Sequence, residues 1–407
     1  MSWIRRGLRM SYPLYDKDLA GISWGTVGLR TPRRSKLISM AAEDGWKALY
    51  ELRARLYSVF FTMPSPSHSI HILGLGSIGS FIAHSLRSLP TPPSVTLLAH
   101  RKSLYDDFAS NGWKLGLRVG EDGPLDERGG FNAELLGSAA SSDPIHNLIV
   151  AVKASATVAA LEPLRHRIGP QSTICLFQNG MGQIEDLNQR VFIDPASRPT
   201  YMLGIMRHGV YLRSSVEAIL SGTSGNASLG VVDSHKQAEQ QSQAQYLLDT
   251  LLQPTALHCE KMEWPELFRV QLLKLASNCV LNPLTALLDV RNGRIKDNAN
   301  IQPLQRQILT EISSVFQSLP EMQELSLDRN QFSTESLESV LHDTIEKTAQ
   351  NSSSMREDIL KGRSTEIQYI NGWIVRRARA MGLDCEANSS LAQLVLAKSG
   401  FTMNNGK

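Results

Sequence analysis

Residues 69–79 read SIHILGLGSIG, and this stretch decides the fold expected for the rest of the chain. Its first five residues suit a short β-strand, and the three glycines that follow have the spacing GxGxxG. Residues 80–89 then have helical spacing, which prolines at 90, 92 and 93 bring to an end. A strand, a glycine-rich turn and a helix in this order predict a site for the phosphates of a dinucleotide at the helix N-terminus.

Each glycine of the turn has its own expected role. Gly74 permits the tight turn, Gly76 lets the backbone approach a pyrophosphate, and Gly79 allows the helix to pack closely against the strand. The alternative interpretation is a tight turn that binds nothing. We expect the cofactor to contact the whole turn, which comprises Gly74, Leu75, Gly76, Ser77, Ile78 and Gly79.

Alternating strands and helices continue after this unit. Further strands are expected at residues 95–99, 147–152 and 172–177, with a helix at 154–164. Alternation of this kind predicts a parallel sheet that is covered by helices on both faces.

The remaining segments have different patterns. Residues 120–130 are rich in glycine and acids and suit a loop, and residues 201–232 suit antiparallel strands with glycine-rich turns. Residues 235–246 suit a surface helix, and nearly everything from residue 264 onward has helical spacing. We therefore predict an α/β fold, with an N-terminal Rossmann-type, doubly wound parallel sheet at 67–255 and an all-helical C-terminal domain at 256–400.

Residues 1–66 are rich in arginine and poor in acids. Such a segment is typical of a mitochondrial presequence, and the alternative is a disordered extension. A helix is possible within it, over residues 41–61. The expected compartment is the cytoplasm, with the mitochondrion as the alternative.

Bulk composition excludes several classes of function. The chain has 407 residues and a formal net charge of +3, so its charge gives no drive toward nucleic acid. Its four cysteines form no CxxC pair and its ten histidines no HxxxH or HExxH pattern, so we expect neither a disulfide framework nor a metal site. No apolar run approaches the roughly 20 residues that span a bilayer, so no membrane partner is expected.

The end of the second predicted strand bears on the choice of cofactor. Sites that prefer NAD place an acid there for the ribose 2′-hydroxyl, but this chain reads Ala99-His100-Arg101-Lys102, with no carboxylate before Asp106. Arg101 and Lys102 are suited to a 2′-phosphate instead. The pattern favours NADP(H) over NAD(H), and the alternative is a solvated basic turn.

Polar residues also follow two later strands. Lys153 comes after the strand at 147–152, and Asn179 after the strand at 172–177. Ligands of doubly wound sheets lie beyond the carboxyl ends of the strands, so both residues are candidates for the nicotinamide half of the site. A lysine at a strand end is equally often only solvated.

In the helical half, Lys274, Asn278 and Asn282 recur at every fourth residue, which places them on one face of a helix. The intervening residues are apolar, so the helix is expected to be largely buried. Because unpaired polar groups are costly to bury, the three residues either satisfy one another or face a cleft.

A second polar cluster lies at residues 351–372. Ser354 and its neighbours suit a helix N-cap, although the same position can also present a hydroxyl and N–H groups to a carboxylate. Glu366 is either a surface acid or a partner of the buried lysine. A cleft lysine beside a carboxylate has the groups needed to reduce a 2-oxo acid, because it can protonate and stabilise the developing alkoxide.

From residue 69 to about 397 the chain resembles the ketopantoate reductase (2-dehydropantoate 2-reductase) family. The motifs are GLGSIG at 74–79, VKAS at 152–155, QNGMG at 178–182, KLASNCVLNPLTAL at 274–287 and SSMREDILKGRSTEIQYING at 353–372. The last two are much more specific than the glycine motif. Segments 1–66, 120–130 and 235–246 look like additions to the short members of the family.

The resemblance implies a role for each candidate residue. Lys274 corresponds to the general acid and Glu366 to the carboxylate beside it. Asn278, Asn282, Asn351 and Ser354 are expected to bind substrate. Lys153 and Asn179 are expected at the nicotinamide, and Arg101 at the 2′-phosphate. The implied reaction is the NADPH-dependent reduction of ketopantoate to pantoate in pantothenate and coenzyme A synthesis.

Three hypotheses therefore stand. The first is this reductase, and the second is a reductase of another 2-oxo acid or carbonyl compound with the same Lys274 and Glu366. The third is an NADP(H)-binding regulator without catalysis, which would have no need of that pair. The expected partner is a small 2-oxo acid, and a homodimer is possible.

Overall fold

Twelve strands form two sheets in the described part of the chain, a computed structural model that covers residues 68–137, 141–232, 238–296 and 298–404. The presequence interpretation of residues 1–66 and the helix expected over 41–61 lie outside these residues. The strands are β1 Ser69–Leu73, β2 Ser94–Ala99, β3 Leu115–Val119, β4 Asp126–Arg128, β5 Asn132–Leu135, β6 Asn147–Val150, β7 Thr173–Leu176, β8 Thr200–Met206, β9 Val210–Leu212, β10 Glu217–Leu220, β11 Ala227–Val231 and β12 Cys259–Lys261.

The larger sheet has the strand order β12-β11-β8-β7-β6-β1-β2-β5. Every pairing from β8 to β5 is parallel, whereas β11 runs antiparallel to β8. β6 and β7 are buried at every residue, as expected for strands covered on both sides. The predicted Rossmann-type sheet is therefore confirmed. Because β12 pairs with β11, this sheet continues to Lys261, past the boundary expected at residue 255.

The helices are α1 Ser77–Leu86, α2 Lys102–Ser110, α3 Thr157–Leu161, α4 Gln183–Arg190, α5 Ala238–Leu252, α6 Trp264–Leu288, α7 Gln302–Ser318, α8 Pro320–Glu324, α9 Thr334–Lys347, α10 Ser354–Leu360, α11 Asn371–Met381 and α12 Glu386–Asn404. Side chains of α1 and α5 pack in one apolar cluster with the larger sheet, and side chains of α3 and α4 pack in a second. The sheet is thus covered by helices on both faces. Within the described residues, the chain from 264 onward has helices and no strand, which agrees with the predicted helical domain.

The smaller sheet, β4-β3-β10-β9, corrects two expectations. Residues 120–130 were predicted to be a loop, but residues 126–128 form β4, which pairs with β3. Residues 201–232 were predicted to form antiparallel strands, but β10 pairs in parallel with β3 as well as antiparallel with β9. The local pattern concealed this sheet because its strands are short and its β3–β10 pairing joins residues about a hundred positions apart in sequence.

The long helix α6 contains Pro283, which has no N–H to donate. The carbonyl that would normally accept from this position belongs to Cys279, and it accepts instead from Asn371 Nδ2 at 2.8 Å. Asn371 is fully buried at the start of α11. The carbonyl left without a donor by Pro283 is thereby hydrogen-bonded by the chain segment that follows Glu366. This hydrogen bond fixes that segment against the helix.

Candidate active site

Lys274 lies on α6 where the helix crosses the carboxyl ends of β7 and β8. Its ammonium donates to Asn179 Oδ1 at 3.0 Å and to the Met206 carbonyl at 2.8 Å. Burial and, to a smaller extent, the positive charge of Arg207 lower the pKa of Lys274, and Glu366 opposes them, so that the pKa is about 8. An ammonium with this pKa can release a proton near neutral pH, as a general acid must.

Glu366 lies directly before a short 3₁₀ helix and is only 5% exposed, which excludes the surface-acid alternative. One carboxylate oxygen accepts from the Ala154 backbone N–H at 2.9 Å. The other accepts from Asn179 Nδ2 at 3.3 Å. Since Asn179 Oδ1 accepts from Lys274, the amide of Asn179 links the lysine to the carboxylate. The structure thus joins Lys274, Asn179 and Glu366, which are far apart in sequence.

Lys153 lies on the other side of Glu366. Its ammonium is 2.6 Å from Asp358 Oδ2 and 3.7 Å from Glu366 Oε2. The Asp358 side chain is 2% exposed, and its burial raises its pKa although Lys153 acts in the opposite direction. Sequence reasoning missed Asp358, because it occupies an ordinary position in α10 and its partner is 205 residues away.

Beside these residues, the half of the protein that contains the larger sheet lies very close to the helical half that begins at residue 264. Gly180 has φ +81°, and a Cβ built on it would lie 2.2 Å from the Tyr369 carbonyl oxygen. The next N–H, of Met181, donates to that same carbonyl at 2.8 Å. A side chain at position 180 would therefore force apart the segments that carry Asn179 and Glu366. This contact explains the glycine in QNGMG.

Asn278 lines a cleft together with Lys274, Gln178 and Asn179, and the cleft has apolar walls that include Leu203 and Leu275. Asn282, one turn further along α6, is 5% exposed. The sequence left open whether the polar residues of this helix face satisfy one another or face a cleft. Lys274 and Asn278 face a cleft.

Asn351 and Ser354 lie beside the far end of the same helix face. The N-cap of α10 is Ser353, not Ser354: Ser353 Oγ accepts from the Arg356 N–H at 3.1 Å and from Thr285 Oγ1 at 2.7 Å. Ser354 is exposed at the first position of α10, and Asn351 is exposed with its Nδ2 close to Gly209. No hydrogen bond joins either side chain to Lys274 or Glu366 in the described residues.

The glycine-rich turn has the geometry that the sequence predicts. Gly74 has φ +102°, and a Cβ there would lie 2.4 Å from the Val152 nitrogen. A Cβ on Gly79 would lie 1.9 Å from the Gly74 oxygen, whereas one on Gly76 would meet no atom within 4 Å. Gly76 is the N-cap of α1 and no side chain caps this helix end. Its first N–H groups therefore have no side-chain cap.

Arg101 follows β2 as the N-cap residue of α2 and is exposed. The neighbouring Lys102 is engaged with Asp106, at 2.7 Å on the surface. Arg101 forms no ion pair with any residue in the described ranges. Of the two basic residues at this strand end, Arg101 is the one available to an anion.

The described residues contain no group of three or more His, Cys, Asp and Glu side chains arranged to hold a metal ion. They also contain no helix with the length and apolar character needed to cross a membrane.

Comparisons with known proteins agree with this arrangement. Residues 70–234 match the family described as ketopantoate reductase PanE/ApbA, and residues 266–399 match its C-terminal domain. The 2-dehydropantoate 2-reductase of Saccharomyces cerevisiae is 28% identical over 82% of this chain and 95% of its own length. A ketoisovalerate reductase of Gibberella fujikuroi is 26% identical over 80% of this chain and 82% of its own.

The fold agrees as well. The crystal structure of a probable 2-dehydropantoate 2-reductase from Bacillus subtilis superposes with a TM-score of 0.60 and 25% identity, covering 81% of this chain and 99% of that one. The two family matches together span well over half of the chain, one on each side of the cleft that holds Lys274. The chain therefore belongs to the ketopantoate reductase family.

Proposed function

We propose that this protein reduces 2-dehydropantoate (ketopantoate) to (R)-pantoate with NADPH. The observation that carries the proposal is the chain of contacts from Lys274 through Asn179 to Glu366 and Lys153, at the carboxyl ends of the strands that follow the glycine-rich turn. A regulator that only binds a nucleotide has no need of a half-buried lysine with a lowered pKa. The arrangement therefore supports catalysis over the regulatory alternative.

The residues present fit a dinucleotide phosphate. The open space at Gly76 and the uncapped N-terminus of α1 suit the pyrophosphate, because unpaired N–H groups and the helix dipole favour an anion there. Arg101, exposed at the end of β2, suits the 2′-phosphate that distinguishes NADPH from NADH. Lys153 and Asn179 would border the nicotinamide.

Reduction of a 2-oxo acid adds a hydride to C2 and a proton to the C2 oxygen. The hydride is what NADPH supplies when bound. In the proposal Lys274 donates the proton, and its charge stabilises the oxygen as negative charge develops. The carbonyl of Met206 and the amide of Asn179 hold the ammonium in place, so that it does not have to be oriented during the reaction.

The remaining candidates are proposed to bind the substrate. Asn278 lies in the cleft one helical turn from Lys274, where its amide can accept from or donate to a substrate hydroxyl or carbonyl. Asn282, Asn351 and Ser354 lie further along, and we assign them to the rest of the substrate, including its carboxylate. The apolar walls of the cleft suit the branched carbon skeleton of ketopantoate.

A second candidate is reduction of a different branched 2-oxo acid. The relative from Gibberella fujikuroi, named as a ketoisovalerate reductase, covers almost as much of this chain as the yeast relative does. Lys274, Asn179 and Glu366 would act in the same way, because they address the 2-oxo acid group that both substrates share. Only contacts to the carbon skeleton would differ.

A substrate panel separates these candidates. Oxidation of NADPH is followed at 340 nm, the absorbance band of reduced nicotinamide, with ketopantoate, 2-oxoisovalerate, pyruvate and no substrate, and each reaction is repeated with NADH. We expect turnover selective for ketopantoate and NADPH. Selective turnover of 2-oxoisovalerate would keep the mechanism and change the substrate, and NADPH binding without any turnover would support the regulator.

We also propose that the protein forms a homodimer. A fold neighbour from Staphylococcus aureus is described as dimeric. Four large apolar side chains of the helical half, Leu288, Leu360, Leu394 and Phe401, are at least half exposed, and a subunit contact would cover side chains of this kind. Light scattering coupled to size exclusion should give twice the chain mass of 45.0 kDa, and a single-chain mass would contradict the proposal.

A further inference from the structure

Arg207 is a charged residue beside Lys274 that no part of the proposed mechanism uses. It follows β8 directly, so it is the chain neighbour of Met206, whose carbonyl accepts from the Lys274 ammonium at 2.8 Å. Its backbone N–H donates to the Asn226 carbonyl at 2.9 Å, which continues the pairing of β8 with β11. The backbone of Arg207 is therefore fixed to the sheet next to the lysine.

The side chain of Arg207 is also held in one place. Its Nη1 donates to Asn226 Oδ1 at 3.1 Å and to Ser228 Oγ at 3.0 Å, and Glu260 Oε1 lies 4.0 Å away. The side chain is about a third exposed, at 32%. Burial lowers its pKa somewhat and Glu260 opposes this, but an arginine remains charged at any pH at which the enzyme would work. Its guanidinium is a permanent positive charge at a defined position.

The other charged groups around Lys274 have different effects. Glu366 faces it from the helical half through Asn179, and the pair of Lys153 and Asp358 lies beyond Glu366. His208, the next residue after Arg207, is buried, and burial holds its pKa below the usual range, so it is uncharged above neutral pH. Among these described groups, Arg207 opposes the ammonium form of Lys274 and Glu366 favours it.

We propose that Arg207, anchored by Asn226, Ser228 and Glu260, is a positioning residue whose fixed positive charge, next to the Met206 carbonyl that holds Lys274, favours proton donation by the lysine. The inference rests on the proposed role of Lys274 as general acid. Arg207 touches neither the reacting atoms nor the lysine directly in this arrangement, and acts through its charge. Glu260 moderates that charge, so the two residues have opposite effects on the lysine.

Opposite effects give a test with matched variants. Arg207→Gln removes the positive charge, Arg207→Lys retains it, and Glu260→Gln removes the compensating negative charge. Arg306→Gln is the control, because Arg306 is exposed and pairs only with acids on α9. Each variant is measured for the pH dependence of kcat and, without substrate or cofactor, for the titration of Lys274 by NMR of ¹³Cε-labelled lysine, assigned with Lys274→Ala.

We expect Arg207→Gln to raise both the pKa of Lys274 in the NMR titration and the pH at which kcat falls on the basic side, by about half a pH unit or more. Arg207→Lys should restore values close to those of the unaltered protein. Glu260→Gln should shift both in the opposite direction, by a smaller amount, because its carboxylate, 49% exposed, is screened more by solvent than the Arg207 side chain, 32% exposed. Arg306→Gln should leave both unchanged.

A merely structural role for Arg207 would change kcat, KM or thermal stability while leaving both titrations in place. A shift of less than about 0.2 pH unit in Arg207→Gln would therefore overturn the proposal. If that variant does not fold, absence of the downward shift in Glu260→Gln overturns it instead. Because the NMR titration needs no substrate, it remains decisive even if the protein proves to act on another compound.

Discussion

Replacing Glu366 by glutamine should disable the site without unfolding the protein. In the native site both carboxylate oxygens accept, one from the Ala154 N–H at 2.9 Å and the other from Asn179 Nδ2 at 3.3 Å, with the Lys153 ammonium 3.7 Å from the latter. A glutamine offers only one acceptor oxygen. If that oxygen keeps the hydrogen bond from the Ala154 N–H, the new NH₂ group faces two other donors, Asn179 Nδ2 and the Lys153 ammonium.

The expected loss follows from this mismatch. A hydrogen bond that involves a charged group contributes about 1.5–3 kcal/mol, and each 1.4 kcal/mol is a factor of ten in rate. Loss of one such acceptor therefore lowers kcat/KM by roughly ten- to a hundredfold. Part of the effect would be indirect, because an Asn179 amide that rotates to find a new acceptor turns its NH₂ group toward Lys274 and breaks the 3.0 Å contact.

The assay compares kcat/KM for NADPH-dependent reduction with the thermal unfolding temperature of the same preparation. Removing one partner of a buried ion pair is destabilising, so the unfolding temperature should fall as well, and kcat/KM is measured at a temperature at which the variant remains folded. Glu335→Gln is the matched control, since Glu335 forms only an exposed ion pair with Arg306. A kcat/KM for Glu366→Gln within twofold of the unaltered protein would refute the reasoning.

Further predictions concern the lysine and the cofactor site. Lys274→Ala should lower kcat by about 10²- to 10⁴-fold and leave NADPH binding, measured by fluorescence titration, unchanged. The control Lys347→Ala, on the exposed side of α9, should leave kcat unchanged. Near-normal turnover by Lys274→Ala would show that Lys274 is not the general acid. Because the ammonium form is the donor and its pKa is about 8, kcat should be constant below that pH and fall about tenfold per unit above it, and a profile that is flat to about pH 9.5 would contradict this. Arg101→Ala should narrow the preference for NADPH over NADH in kcat/KM, and an unchanged ratio would place the 2′-phosphate elsewhere. Gly74→Ala should lower the free energy of unfolding by about 2 kcal/mol or more in chemical denaturation. Gly76→Ala should leave the free energy of unfolding unchanged but weaken NADPH binding. Equal stability of the two variants would argue against the turn geometry.

The sequence predicted those parts of the fold and site that depend on neighbouring residues. The turn at 74–79 was predictable because the glycines have separate local requirements, and those of Gly74 and Gly79 are visible in the geometry. The shared face of Lys274 and Asn278 was predictable because a helix places every fourth residue on one side. The position of Asn179 at a strand end was sufficient to bring it near the site, although not to show that it contacts both Lys274 and Glu366.

Features that depend on distant residues were missed. The pairing of Lys153 with Asp358 joins two segments 205 positions apart, and no local pattern marks either residue as a partner of the other. Three consecutive serines, 352–354, lie at the start of α10, and the choice of Ser353 as N-cap is fixed by the Thr285 hydroxyl across the helix pair. The smaller sheet escaped prediction for the same reason, since β3 and β10 find each other only in the folded chain.

The close meeting of Gly180 with Tyr369 has a consequence for how such enzymes can be recombined. The general acid comes from the helical half, whereas the amide and carbonyl that hold it come from the sheet. Glu366 in turn completes the backbone bonding of the sheet half at Ala154. A chimera that joins the sheet half of one homologue to the helical half of another therefore inherits no complete active site from either parent, and its activity should depend on how well residues 178–182 and 366–369 match.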